Sequence, residues 1–208
     1  MFRTIAKSSE GVYKEKGSKF YGYGIPVQSV QEVKEHLDSL RKENHGCVHV
    51  CFAYCLGSKK EDFRYSDDGE PSNSAGAPIY GQIKSFDLTN IVIAVVRYYG
   101  GTKLGVGGLI NAYRTAAKEA IVNATISNDE DRNIFEVTFT YEAMPFVMNV
   151  VKNSDCKIIE QDFQTSPRLK LSVPVSNERL PDRLIKIKSV GHSQKLYQLV
   201  KQLPDNEK

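Results

Sequence analysis

The sequence predicts an α+β protein in two domains, the second a ferredoxin-like βαββαβ unit. Three observations carry that prediction. Stretches rich in β-branched and aromatic residues alternate with stretches whose apolar residues recur at helical spacing. "SNDEDRN", residues 127–133, contains no apolar residue and separates two differently patterned regions. Beyond it the elements run strand, helix, strand, strand, helix, strand, which is the split-βαβ order. The expected domains are therefore 1–130 and 134–205.

The elements follow in order. "SKFYGYGIPV" reads as a strand ending near Pro26. In "SVQEVKEHLDSLRKEN", Val30, Val33, Leu37 and Leu40 mark a helical face, and Ser29 with Glu32 has capping-box spacing. "CVHVCFAYCLG" is the next strand, and "SKKEDFRYSDDGEPSNSAGAP" reads as a long polar loop. "IYGQIKSF" reads as helix and Ile91 to Arg97 as strand. A helix is then expected from Gly108 to about Ala124, with Leu109, Tyr113, Ala116 and Ala120 on one face. In the second domain, strands are expected at Ile134 to Tyr141, Cys156 to Phe163, Leu169 to Val175 and in "KLYQLV". The two helices expected there run from about Pro145 to Asn153, and through Leu180, Leu184 and Ile187 to Gly191.

Composition bounds the function. The chain has 208 residues, 40% hydrophobic and 25% charged, with 28 Lys plus Arg against 25 Asp plus Glu. That is an ordinary globular composition with no global basic excess, so nucleic-acid binding would have to rest on a local patch. No apolar run approaches the roughly 18 residues of a membrane span. The N-terminal stretch has neither a continuous apolar segment nor a cleavage pattern, which predicts a cytoplasmic protein with free thiols and no membrane partner.

"HGCVHVCFAYC" spaces Cys47, Cys51 and Cys55 four apart, with His45 and His49 between them. On a strand, Cys47 and Cys55 would stand about 26 Å apart, too far to share one metal ion. The pattern matches no common zinc spacing, so the expectation is core packing, with His49 the exception near the strand start. In "SDDGEPSNSAGAP", Asp67, Asp68 and Glu70 offer oxygens for a hard cation or a general base. The alternative is a solvated turn, since Asp-Gly and Pro71 are strong turn signals.

"RYYGGTKLGVGG" follows a strand and precedes a helix. Gly100, Gly101, Gly105, Gly107 and Gly108 permit close backbone approach, Arg97 and Lys103 supply charge, and the helix start supplies unpaired N–H groups. Together these predict an anion site. The pattern is neither a Walker A loop nor the dinucleotide fingerprint. The alternative is that the glycines serve only tight strand–helix packing.

"VVRYYGGTKLGVGGLINAY" resembles the signature of the IMPACT family in its bacterial YigZ-type form. "HVCFAYCLG" and "DDGEPSNSAGAPI" resemble further blocks of that family, in order, over residues 1 to about 126. Val50 stands where the family often carries a second His or Asn. The resemblance implies an N-terminal domain of the kind seen in ribosomal proteins and in domain IV of elongation factor G. It implies a ferredoxin-like C-terminal domain similar to the last domain of that factor. It also implies RNA or ribosome binding, and its eukaryotic members are translation regulators that act through protein partners.

Two functions compete, beside a third, blander one: a protein-interaction scaffold whose motif serves only the fold. In the first, a regulator of translation binds RNA or the ribosome: Arg97, Lys103, Gly107 and Gly108 hold phosphate, and Tyr98 and Tyr99 offer stacking faces. In the second, an enzyme acts on a small phosphorylated molecule, with Asp67, Asp68 or Glu70 as metal ligand or base. No Ser-His-Asp order, metal-spaced His pair or Walker lysine is present, so a binding module without cofactor or resident metal is favoured. Convergence of the acidic and glycine blocks in one cleft would favour a small anionic ligand. An open basic face would favour nucleic acid.

Overall fold

The computed structural model describes residues 1–47, 49–177 and 197–203, and the chain divides into two compact units, Met1–Asp129 and Glu130–Lys208. The first is built on a five-stranded antiparallel sheet of order β2-β3-β6-β4-β5. Its strands are β2 (Ser9–Glu15), β3 (Ser18–Pro26), β4 (His49–Leu56), β5 (Asp62–Ser66) and β6 (Ile91–Tyr98). Two further strands, β1 (Phe2–Ile5) and β7 (Ile126–Asp129), pair separately. The segment before Ser18, to which sequence patterning assigns no element, thus supplies β1 and β2.

Helices cover both faces of this sheet. Helix α1 (Val30–Glu43) packs Val33, Leu37 and Leu40 against Val50, Tyr54, Val92, Ala94 and Val96. Helices α2 (Gly76–Ser85) and α3 (Gly105–Val122) pack Ile79, Ile83, Ala112, Tyr113 and Ala116 against Cys51, Ala53, Ile91, Ile93 and Val95 on the opposite face. β4 and β6 are therefore buried on both sides, which explains why "IVIAVV" is a continuous apolar run rather than an alternation. Cys51 and Cys55 sit in this core, while Cys47 precedes β4 and is only partly buried. The Ser29 hydroxyl caps α1 by accepting from the Glu32 N–H, and Glu32 reaches back to the Gln28 N–H.

Three local expectations are corrected. "DFRYS", read as loop, is edge strand β5, because backbone pairing with β4 outweighs its polar neighbourhood. Helix α3 starts at Gly105 rather than Gly108, so Gly107 and Gly108 lie inside its first turn. Val30 opens α1 but stays 36% exposed, so the buried face of that helix begins at Val33.

In the second unit, β8 (Arg132–Phe139), β9 (Lys157–Asp162), β10 (Arg168–Pro174) and β11 (Tyr197–Leu203) form a sheet of order β11-β8-β10-β9, with α4 (Met144–Lys152) between β8 and β9 in the chain. Every neighbouring pair is antiparallel. Val137, Phe139, Val147, Val151, Leu169, Leu171 and Val173 make its core. The helix expected through Leu180, Leu184 and Ile187 lies outside the described residues. Among the described residues no helix is long and apolar enough to cross a membrane.

Candidate functional site

The end of β6 carries Arg97 into the first unit's interior, where it meets Glu70 from the turn after β5. Arg97 Nη1 stands 2.5 Å from Glu70 Oε1, and the two side chains are 8% and 4% exposed. The same oxygen accepts from the Tyr113 hydroxyl of α3 at 2.8 Å. Burial, with Cys51 and then Glu70 close by, pushes the Tyr113 phenol far above its ordinary range, so it remains a neutral donor. His49 Nδ1 donates to the Asp68 carbonyl at 2.6 Å, and its Nε2 lies 3.9 Å from Glu70 Oε1. The Arg97 guanidinium stands 5.4 Å from the ring centres of both Phe20 and Tyr99. Its Nε–H is buried and has no partner among the described residues.

The acidic loop spends its other carboxylates on protein donors. Asp67 accepts the N–H groups of Ala75 and Gly76 at 2.9 and 2.8 Å and that of Asn73 at 2.8 Å, so it closes the loop and caps the start of α2. Asp68 accepts the Val50 N–H at 2.7 Å and takes Arg41 bidentately at 2.8 and 3.2 Å. Burial alone would raise the Asp68 pKa. The Arg41 and Val50 hydrogen bonds, with the Arg41 and His49 charges, outweigh it and hold that carboxyl below its ordinary value. Of the two readings of Asp67 and Asp68, metal ligand or base against turn residue, these hydrogen bonds favour the turn. Among the described residues no group of three or more His, Cys, Asp or Glu is placed to hold a metal ion.

The glycine block splits its work. A Cβ on Gly100 would lie 1.9 Å from the Gly17 carbonyl carbon, so this glycine lets two turns touch. Gly105 has φ +71°, a conformation that lets the chain turn straight into α3. Helix α3 has no side-chain cap and no acidic residue in its first turn. Tyr98 turns away onto the α1 face, where it packs on Tyr21 and donates to Asn44. Tyr99 remains half exposed.

The two blocks converge. A cleft of about 320 Å³ is lined by Glu70 and Pro71 from the acidic block and by Arg97, Tyr99, Lys103 and Leu104 from the glycine block. Gly105, Val106 and Leu109 of α3 complete it. Tyr98, Gly100, Gly101, Gly107, Gly108, Asp67, Asp68 and His49 lie outside this lining. Arg97, expected to hold phosphate together with Lys103, is a buried cation paired with Glu70. Lys103 has no ion-pair partner among the described residues. Tyr113 and the apolar wall of Leu104, Val106 and Leu109 were not foreseen as part of a site. Tyr113 lies 43 positions from Glu70, and no local signal joins them.

Comparison with known proteins places the chain. A family model described as the Impact N-terminal domain matches residues 16–121. The chain is 29% identical over 163 residues to the IMPACT family member YigZ of Escherichia coli (strain K12), covering 77% of this chain and 80% of that one. It is 29% identical over 151 residues to the IMPACT family member YvyE of Bacillus subtilis (strain 168), covering 73% and 70%. A crystal structure of a hypothetical protein superposes with a TM-score of 0.71 at 28% identity, covering 94% of this chain and 96% of that one.

Proposed function

The chain belongs to the IMPACT family, and on that premise we propose that it is a cytoplasmic regulator of translation that binds RNA, at the ribosome or free of it, through a phosphate seated at the glycine-rich loop. The observation that carries this reading is the cleft wall itself. Lys103, without an ion-pair partner among the described residues, stands beside the uncapped first turn of α3, and a cation next to unpaired helix N–H groups suits a phosphate. Tyr99 adds an exposed ring on the same wall. The strand order β11-β8-β10-β9 supports a ferredoxin-like second unit. The first unit is proposed to have the elongation factor domain IV type of fold that the family resemblance implies.

Because the Arg97 charge is already matched by Glu70, few phosphates are neutralised and binding has a shallow salt dependence. Ribosome co-sedimentation and RNA filter binding across a salt series test the proposal. Binding at low salt is expected, with Lys103→Ala lowering the log–log slope by about 0.7–1. RNA binding that is absent, or unchanged in that variant, would defeat it. Convergence of the two blocks favours a second reading, in which the same cleft holds a small phosphorylated molecule. That reading takes over if free phosphorylated compounds bind and RNA does not.

A further inference from the structure

The floor of the cleft holds hydrogen-bonding groups that a bare phosphate site does not need. Glu70 is more than nine-tenths buried and lines the cleft. Its Oε1 takes both Arg97 and Tyr113, while Oε2 accepts no hydrogen bond from any described residue. Native interiors rarely leave such an acceptor unmatched, so it marks a place for a donor on a ligand. The Arg97 and Tyr113 bonds hold the carboxylate in place, with one acceptor left over beside the cleft.

A carboxylate oxygen there suits the N–H donors on a nucleobase edge. The walls suit a flat ring: Tyr99 and Val106 are half exposed, and Leu104 and Leu109 continue the apolar surface. Lys103 and the uncapped start of α3 supply the site for a phosphate. At about 320 Å³ the cleft is at the small end of ligand sites, the size for one nucleotide rather than a strand lying through it. We propose that the cleft binds a single nucleotide unit, with an N–H of its base edge on Glu70 Oε2, its ring against Tyr99 and its phosphate on Lys103. The inference rests on reading the cleft as an anion site and adds the base as the part that is recognised.

The test is isothermal titration of the unmodified protein with the four nucleoside 5′-monophosphates, their nucleosides, ribose 5-phosphate and inorganic phosphate. Short single-stranded RNAs with and without a 5′-phosphate form a further arm, which separates a free nucleotide from an RNA end. At least one mononucleotide is expected to bind about tenfold more tightly than ribose 5-phosphate and than its own nucleoside, since stacking one base contributes at least that factor. Lys103→Ala should bring that nucleotide down to the affinity of its nucleoside. Glu70→Gln should weaken the nucleotide about tenfold, the scale of one lost hydrogen bond, and leave inorganic phosphate unchanged. If this buried variant does not fold, the ligand series on the unmodified protein decides alone. Ribose 5-phosphate binding as tightly as every mononucleotide, or no mononucleotide binding, overturns the inference. RNA binding that depends on Lys103 without any mononucleotide binding overturns it too, and leaves the RNA reading standing. Mononucleotide binding without RNA binding does the reverse.

Discussion

Two arginine–carboxylate pairs tie the acidic loop to the rest of the first unit, and they differ above all in burial. Arg41–Asp68 joins α1 to the loop with side chains 46% and 24% exposed, whereas Arg97–Glu70 is sealed beneath the cleft at 8% and 4%. Arg41 grips its carboxylate with two bonds and Arg97 with one, but the decisive difference lies in their surroundings. Water screens the first pair and competes for it, so it contributes little by itself. The second has been stripped of water, so neither partner tolerates loss of the other. The lesson is that the "DDGEP" turn carries carboxylates of different kinds: Asp68 holds the loop in place at the surface, and Glu70 is set beneath the cleft.

The largest test of that difference removes one partner of the buried pair. Arg97→Ala or Glu70→Ala should each cost about 3–5 kcal/mol in urea unfolding, because an uncompensated charge remains inside. The apolar double variant Arg97→Met with Glu70→Leu should cost less than either single change. Equal or additive losses would mean that desolvation is not what distinguishes the pair.

Next comes Asp68→Ala, expected to cost about 2 kcal/mol because the Val50 N–H loses a charged acceptor, against under about 1 kcal/mol for Arg41→Ala. An Arg41 variant as damaging as the Arg97 variant would erase the comparison. The Asp68 contribution also has a pH signature. Its folded pKa lies below the unfolded value, so its stabilisation is complete above about pH 4 and is lost as pH falls through the folded pKa. The difference in unfolding free energy between the native chain and Asp68→Asn should therefore shrink below pH 4.

Smaller effects sharpen the contrast between buried floor and exposed rim. Lys103→Ala should change stability by no more than about 0.5 kcal/mol, since Lys103 is an exposed rim residue without an ion pair among the described residues. Burial raises the thiol pKa of Cys51 well above its usual range and also raises that of Cys55. Both should resist alkylation in the native protein while partly buried Cys47 reacts, and mass spectrometry of iodoacetamide-treated protein reads the order. Rapid labelling of Cys51 would show that the floor opens to solvent.

Much of the framework was legible along the chain because its cause is local. The "IVIAVV" run declares a strand covered on both faces, and Ser29 with Glu32 marks the start of α1 through bonds spanning a few residues. β5 escaped notice because "DFRYS" becomes a strand only by pairing with β4, an energy absent from its own composition. The site was half legible. Its two blocks were conspicuous as glycines and acids, but which of those side chains faces a ligand was not.

By itself, the sequence determined the family, the principal strands and helices and the neighbourhood of the site. Tertiary structure alone decided that Arg97 is matched by Glu70, that Asp67 and Asp68 serve the loop, that Tyr98 and Tyr99 part to opposite faces, and that Lys103 stays without an ion pair among the described residues. The reason is physical. Secondary structure follows from periodicities within a few residues, whereas the state of a charge depends on what packing brings against it. Arg97 and Glu70 are 27 positions apart, and only the folded sheet makes them neighbours and removes the water between them.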